Sequence, residues 1–157
     1  MAKEPDHPNI KPMVHPPIVA LMFMVIAYFL GRFVPLPFVA LVFLQNLGLL
    51  MTFVGFLLGI GAFIEFRKAR TTLDPHGSVK QLVTSGIYRF TRNPIYLGFL
   101  FMVIGLPLVS GLYWGFIMAP FYMMVINGLV IQHEENYLGR RFKDQYINYK
   151  SRVRRWL

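Results

Sequence analysis

No cysteine occurs in this chain of 157 residues, which excludes disulfides, thiolate metal sites and a cysteine nucleophile at once. Histidine is sparse: His7, His15, His76 and His133 show no zinc-ligand spacing, and no serine has a base beside it as a hydrolase would require. No metal is therefore expected. Acidic residues are few, 7 against 16 lysines and arginines, for a formal net charge of +9. Such a balance can mark nucleic-acid binding, but 55% of the chain is hydrophobic and the mean hydropathy is +0.50. The positive charge is better assigned to membrane orientation and anionic headgroups, with no nucleic-acid partner.

Charge is missing altogether from long tracts. Residues 18–30 are continuously apolar and predict a first span over 18–31, slightly short for a bilayer. Residues 33–64 hold no charge, and Pro35 and Pro37 place a turn early, leaving 38–64 as a long tilted span. Its glycines at 48, 55, 59 and 61 lack the pattern of a nucleotide loop and predict close helix packing. The uncharged tract 93–132 is too long for one helix, and Pro107 with Ser110 and Gly111 divides it into a hairpin of spans 95–111 and 113–131. The expected fold is all-α: a polytopic membrane bundle of about four transmembrane helices in one domain, 18–157, after an irregular proline-rich N-terminus, 1–17. The first span lacks a small-residue cleavage site and is expected to be retained.

Lysine and arginine orient this arrangement, because short translocated loops do not keep positive charge. Of the 16, only Arg32 falls in a loop opposite the rest. Both termini, the loop 65–93 and the amphipathic helical tail 132–157 are thus expected in the cytoplasm, with Tyr113 and Trp114 marking the other interface. The hairpin brings Arg92, Asn93 and Pro94 close in depth to His133, Glu134 and Glu135. Asn93 before Pro94 is a helix start signal, with asparagine as N-cap and free N–H groups that favour an anion. Arg92 adds a fixed positive charge, and Glu134 and Glu135 can take an ammonium or ribose hydroxyls. Together they suit a zwitterion such as a methionine-like head group. The competing reading makes Arg92 an interfacial anchor and the glutamates the start of an amphipathic tail. Glu65 and His133 receive no assigned role.

Two strings carry a resemblance: LVTSGIYRFTRNPIYLG at 82–98 and EENYLGRRFKDQYINYKSRV at 134–153. In order and spacing they resemble the isoprenylcysteine carboxyl methyltransferases and the related phospholipid methyltransferases. The likeness covers about the C-terminal half. TTLDP at 71–75 is similar to a stretch preceding the motif in small bacterial members, which implies a bacterial inner membrane. Asn93 stands where many members have histidine, and Lys143 where they have glycine. The resemblance implies S-adenosylmethionine as cofactor, with Leu82 and Val83 lining the adenine. Tyr88, Arg92, Asn93, Pro94 and Tyr96 surround the cofactor, and Glu134 and Glu135 complete the site. It also implies a lipid-linked acceptor arriving sideways from the bilayer.

Methyl transfer from a sulfonium is an in-line displacement that needs alignment and exclusion of water. A carboxylate acceptor is already a nucleophile at neutral pH, and Arg92 or Arg152 could hold it bidentately as the catalytic residues. That is the first expectation, isoprenylcysteine-type carboxyl O-methylation. The alternatives are phospholipid N-methylation of the phosphatidylethanolamine type, which wants a base, and a noncatalytic membrane bundle with lipid-binding basic loops. Reporter fusions at Leu157 and near Lys80 are expected to give cytoplasmic signals; an external signal at either position removes the four-span threading.

Overall fold

The structure is a computed structural model that describes residues 8, 15–37, 41–70 and 79–157. Among the described residues five α-helices run in chain order: α1 (Pro16–Phe33), α2 (Val42–Lys68), α3 (Pro94–Val109), α4 (Trp114–Ile126) and α5 (Gln132–Arg152). A 3-10 turn, Gly86–Arg89, precedes α3, and a π-helical segment, Asn127–Ile131, joins α4 to α5 without a break. Among the described residues there is no strand. Among the described residues three helical rods are long and apolar enough to cross a membrane: α1, α2, and the continuous Trp114–Arg152 rod. With α3 beside them they form a membrane helix bundle.

The helix limits follow local chemistry. Prolines 16 and 17 open α1, where a missing N–H costs nothing. The helix α2 has 27 residues, roughly 40 Å at ~1.5 Å per residue, longer than the ~30 Å apolar slab. It runs past the expected limit of 64, so Glu65, Arg67 and Lys68 form its last turn rather than a loop. Its start falls at Val42, and residues 38–40, assigned to this span from the sequence, lie outside the described residues, as does 71–78. The 16-residue α3, about 24 Å long, stops at Val109. Gly111, at φ +71°, then turns the chain, with N–H groups of Gly111 and Leu112 donating to the Leu108 and Pro107 carbonyls.

Packing explains which glycines matter. A Cβ at Gly48 would come within 2.8 Å of the Gly105 carbonyl oxygen, and one at Gly55 within 2.6 Å of that of Gly98. These pairs let α2 and α3 approach backbone to backbone. Gly59 has no neighbour within 4 Å of a Cβ, and Gly61 makes only an ordinary contact with Ile87, so half of the expected set does not pack closely. The core lies among α1, α3 and α4, around a fully buried Tyr122 whose ring meets Phe23 edge-on at 5.8 Å. Outward faces of α1 and α2 stay apolar, with Ile18, Phe29, Phe43 and Phe53 exposed, as suits hydrocarbon rather than water. Trp114 donates its indole N–H to the Val34 carbonyl at 2.7 Å, so the α3–α4 turn and the end of α1 meet at the pole opposite Glu65 and Asn93.

Polar α5 lies beyond the apolar stretch of its rod, which ends at Ile131. It bends at Lys143, whose φ of +42° and ψ of −119° are non-helical. A side chain there is strained by roughly 1–3 kcal/mol, and glycine adopts the region freely. Lys143→Gly is therefore expected to raise stability by about 1 kcal/mol, read as a higher melting temperature in detergent; a lower one would show the bend is unstrained.

Candidate active site

The segment before α3 is pinned from two sides. Glu65, at the end of α2, accepts hydrogen bonds from Ser85 Oγ and from Lys68 Nζ, the latter at 2.8 Å. The next residue, Gly86, sits at φ +55° directly against the Glu65 carboxyl, a left-handed position with no room for a Cβ. Tyr149 on α5 donates its hydroxyl to the Tyr88 carbonyl at 2.7 Å. The other side is held by the segment after α5. Arg92 N–H donates to the Arg154 carbonyl at 3.0 Å, and the Arg155 carbonyl accepts from Thr91 Oγ1 at 3.2 Å and from Asn93 Nδ2 at 3.0 Å.

Asn93 does hold the N-cap position, with Pro94 first in the helix, but its side chain makes no cap. Its amide is spent on the Arg155 carbonyl, and its own N–H donates to Thr91 Oγ1 at 3.2 Å. The expected side-chain cap is thus replaced by a tertiary bond, because a carbonyl buried against the α3 start needs a donor.

Glu135, 9% exposed, is the meeting point of the basic side chains. Arg155 grips it through Nε at 3.0 Å and Nη2 at 2.7 Å. Arg92 Nη2 lies 3.2 Å away and Lys150 Nζ 3.8 Å. Burial opposes ionisation of Glu135, but the Arg155 hydrogen bonds and the charges of Arg92, Arg155 and Lys150 outweigh it, holding its carboxyl below the ordinary value. Arg92 also reaches the Tyr146 hydroxyl at 3.4 Å, while its Nε is buried with no hydrogen-bond partner. Glu134 has a different environment. Its Oε1 accepts the Tyr96 hydroxyl at 2.7 Å. Desolvation, reinforced by the Glu135 charge and opposed by the Tyr96 hydrogen bond, pushes its pKa up to about 7.

All nine residues expected around the cofactor, Leu82, Val83, Tyr88, Arg92, Asn93, Pro94, Tyr96, Glu134 and Glu135, line one cavity of about 110 Å³. Arg152 does not join them: it is exposed at the end of α5 and absent from the cavity wall. Arg155, three residues on, takes the inward place that the sequence reading gave to Arg152, because the chain leaves helical geometry at Val153 and folds back. Tyr146 and Tyr149 also line the cavity and were not anticipated. Their i, i+3 spacing on α5 was the available signal. His133 does not line it.

A second space, an apolar groove of about 440 Å³, opens between the start of α1 and the facing sides of α2 and α3, with Pro17, Gly55, Gly59, Phe63 and Phe99 among its walls. Ile95 and Tyr96 line both spaces.

Residues 43–145 match the phospholipid methyltransferase family. The chain is 31% identical over 120 residues to Protein-S-isoprenylcysteine O-methyltransferase A of Arabidopsis thaliana, covering 69% of this chain and 56% of that protein. Protein-S-isoprenylcysteine O-methyltransferase of Saccharomyces cerevisiae is 35% identical over 72 residues, 46% of this chain and 30% of its own length. An uncharacterized protein of Haemophilus influenzae is 36% identical over 63 residues, 40% of this chain and 100% of that one. The chain spans about half the length of the Arabidopsis relative. No solved structure matches it. The matched region holds the packed glycines of α2, the α3 start and both glutamates of α5, and on that match this chain belongs to the phospholipid methyltransferase family, whose isoprenylcysteine-directed relatives it also resembles.

Proposed function

We propose that this protein transfers a methyl group from S-adenosylmethionine to the polar head of a lipid-linked acceptor, with the head in the cavity beside Arg92 and the tail in the lateral groove. The observation that carries the reading is the shared wall: Ile95 and Tyr96 border the polar cavity on one side and the apolar groove on the other. An amphipathic substrate can thus keep its tail in hydrocarbon while its head meets charged groups. The basic residues flanking α2, α3 and α5 favour the cytoplasmic face for this cavity and for both termini.

The cavity suits the donor. Arg92 keeps an unpartnered, buried Nε, a vacancy for an anionic oxygen such as the donor's carboxylate. Leu82 and Val83 offer apolar surface, and Tyr88, Tyr146 and Tyr149 offer aromatic faces, for a base. When bound, the donor supplies an electrophilic methyl group on a sulfonium. The protein's part is positioning and dryness: Glu135 and Tyr146 fix the plane of Arg92, Arg155 fixes Glu135, and the α3 start closes one end. The relatives' names favour a carboxylate acceptor of the isoprenylcysteine type; the family's name and the Tyr96–Glu134 pair favour an amine on a phospholipid.

Arg92 decides between a binding role and mere anchoring. Arg92→Lys keeps the charge and its reach to headgroups but loses the planar fork. Labelled methyl transfer into membrane lipids and prenylcysteine is expected to fall by roughly tenfold to a thousandfold, as loss of one contact worth ~1.5 to 4 kcal/mol would give. Membrane insertion should be unchanged. Wild-type transfer in inserted Arg92→Lys protein would return Arg92 to an anchor, and no saturable thermal stabilisation by S-adenosylhomocysteine in wild type would remove the enzyme reading.

A further inference from the structure

Glu65 does not line the cavity, and it does not suit its own helix. The last turn of a helix gathers partial negative charge, which favours Arg67 and Lys68 at the end of α2 and disfavours a carboxylate beside them. The pair with Lys68 adds little, because the Lys68 side chain is 66% exposed while that of Glu65 is 9% exposed. Burying a carboxylate costs free energy unless a close donor meets it, and the donor on its inner side is Ser85 Oγ. Gly86 lies against the same carboxyl at φ +55°, so near that a Cβ would come within 2.5 Å of the Glu65 carboxyl carbon. The carboxyl thus fills the space of the side chain that Gly86 lacks.

A wall of the cavity hangs from this contact. Residues 79–85 form no helix or strand and lead into the 3-10 turn Gly86–Arg89. Two anchors tie them to α5: the Val79 N–H donates to the Tyr137 hydroxyl oxygen at 3.1 Å, and the Tyr88 carbonyl accepts from Tyr149. Between those anchors, Ser85 and Gly86 rest on Glu65. Val83 and Tyr88 pack with Ala62, and the Tyr88 ring meets Phe66 at 5.6 Å, tilted by 58°. Ala62, Glu65 and Phe66 stand at i, i+3 and i+4 and share one face of α2. Phe66, Leu82, Val83 and Tyr88 all line the cavity, and Glu65 clamps the chain reversal between the last two.

We propose that Glu65 is a positioning residue for the methyl donor: through Ser85 and Gly86 it fixes Val83 and Tyr88 as the wall against which the donor's base packs, without touching the donor itself. This rests on the methyl-transfer reading above. A base between apolar and aromatic surfaces gains from their area and relative plane, and both change if the 83–88 turn shifts against Phe66. Arg92 and Glu135 are held separately, by α5 and the segment after it. Glu65 therefore acts on the nucleoside end of the donor, whichever acceptor is methylated.

The test is calorimetric titration of the full chain in detergent with S-adenosylhomocysteine and with methylthioadenosine, which carries the base but no amino-acid head. Glu65→Ala and Ser85→Ala should each weaken both ligands by the same factor, roughly tenfold for one lost buried hydrogen bond. The double variant should be no weaker than either single one, because the two share one contact. In transfer assays the donor KM should rise by that factor while kcat and the acceptor KM stay unchanged, as loss of uniform donor binding gives. Glu65→Gln keeps an acceptor oxygen for Ser85 and volume against Gly86, so it should restore wild-type affinity, and Lys68→Ala should never lose it. A role confined to stability would lower the melting temperature without this split between donor and acceptor. Any of four results overturns the proposal: wild-type affinities in Glu65→Ala, weakening of S-adenosylhomocysteine but not of methylthioadenosine, Glu65→Gln as weak as Glu65→Ala, or an equal rise in both KM values. Should Glu65→Ala fail to insert, Ser85→Ala against Glu65→Gln decides by the same criteria. Absence of S-adenosylhomocysteine binding in wild type would instead remove the methyl-transfer reading itself.

Discussion

A buried carboxylate is tolerable only when cations meet it, and the polar end of this bundle is organised around meeting Glu135. Arg92 precedes α3, Lys150 lies in the last turn of α5, and Arg155 follows it, so one acidic side chain ties together three points of the chain. Arg92 and Glu135 are each 9% exposed at the side chain. Removing one member of such a buried pair typically costs about 3 to 5 kcal/mol, because the partner is left charged and dry. The same cluster brings the Arg154 and Arg155 carbonyls onto Thr91, Arg92 and Asn93. Electrostatics and backbone hydrogen bonding thus close the cavity with the same few residues.

The membrane half of the molecule obeys a different constraint. Between apolar helices in hydrocarbon no hydrophobic gain is left to drive association, so close van der Waals approach must do it. Gly48 against Gly105 and Gly55 against Gly98 supply that approach. One turn beyond Gly55, Gly59 has no neighbour, and its missing side chain leaves width in the lateral groove. One helix face thereby serves adhesion at one end and access at the other. Both uses depend on glycine, and a helix pays for each with backbone entropy.

Much of this was legible before any coordinates, for physical reasons. Uncharged tracts must be buried in lipid or protein, so composition led to spans at 18–31, 38–64, 95–111 and 113–131, where the structure has helices at Pro16–Phe33, Val42–Lys68, Pro94–Val109 and Trp114–Ile126. The hairpin forced Arg92 and the glutamates to one depth, and the resemblance grouped nine residues that do line one cavity. What could not be read was angular and tertiary. Whether a glycine faces a helix or a groove depends on rotation about the α2 axis, which an evenly apolar helix does not encode. Arg152 and Arg155 are equivalent as sequence; only the departure from helical φ and ψ at Val153 turns the second one inward. The side chain of Asn93 looked like a cap because local rules see only neighbours in sequence, and the competing Arg155 carbonyl lies 62 positions away.

The bend at Lys143 and the π-helical segment at Asn127–Ile131 bear on the same angular problem. An uninterrupted α-helix from Trp114 would set the phase of Glu134 and Glu135 rigidly from the packing of Tyr122 and Ile126. A π turn inserts an extra residue into the spiral, so the faces of α5 are turned relative to those of α4. Beyond it, the bend at Lys143 re-aims the second half of α5, which brings Tyr146 and Tyr149 to the cavity wall. Two departures from ideal helix geometry therefore bracket the glutamates. Their consequence is electrostatic: with Tyr96 on one side and Arg155 on the other, neighbouring carboxyls of the same kind acquire opposite displacements of their acidity, Glu135 held below the ordinary value and Glu134 raised to about 7.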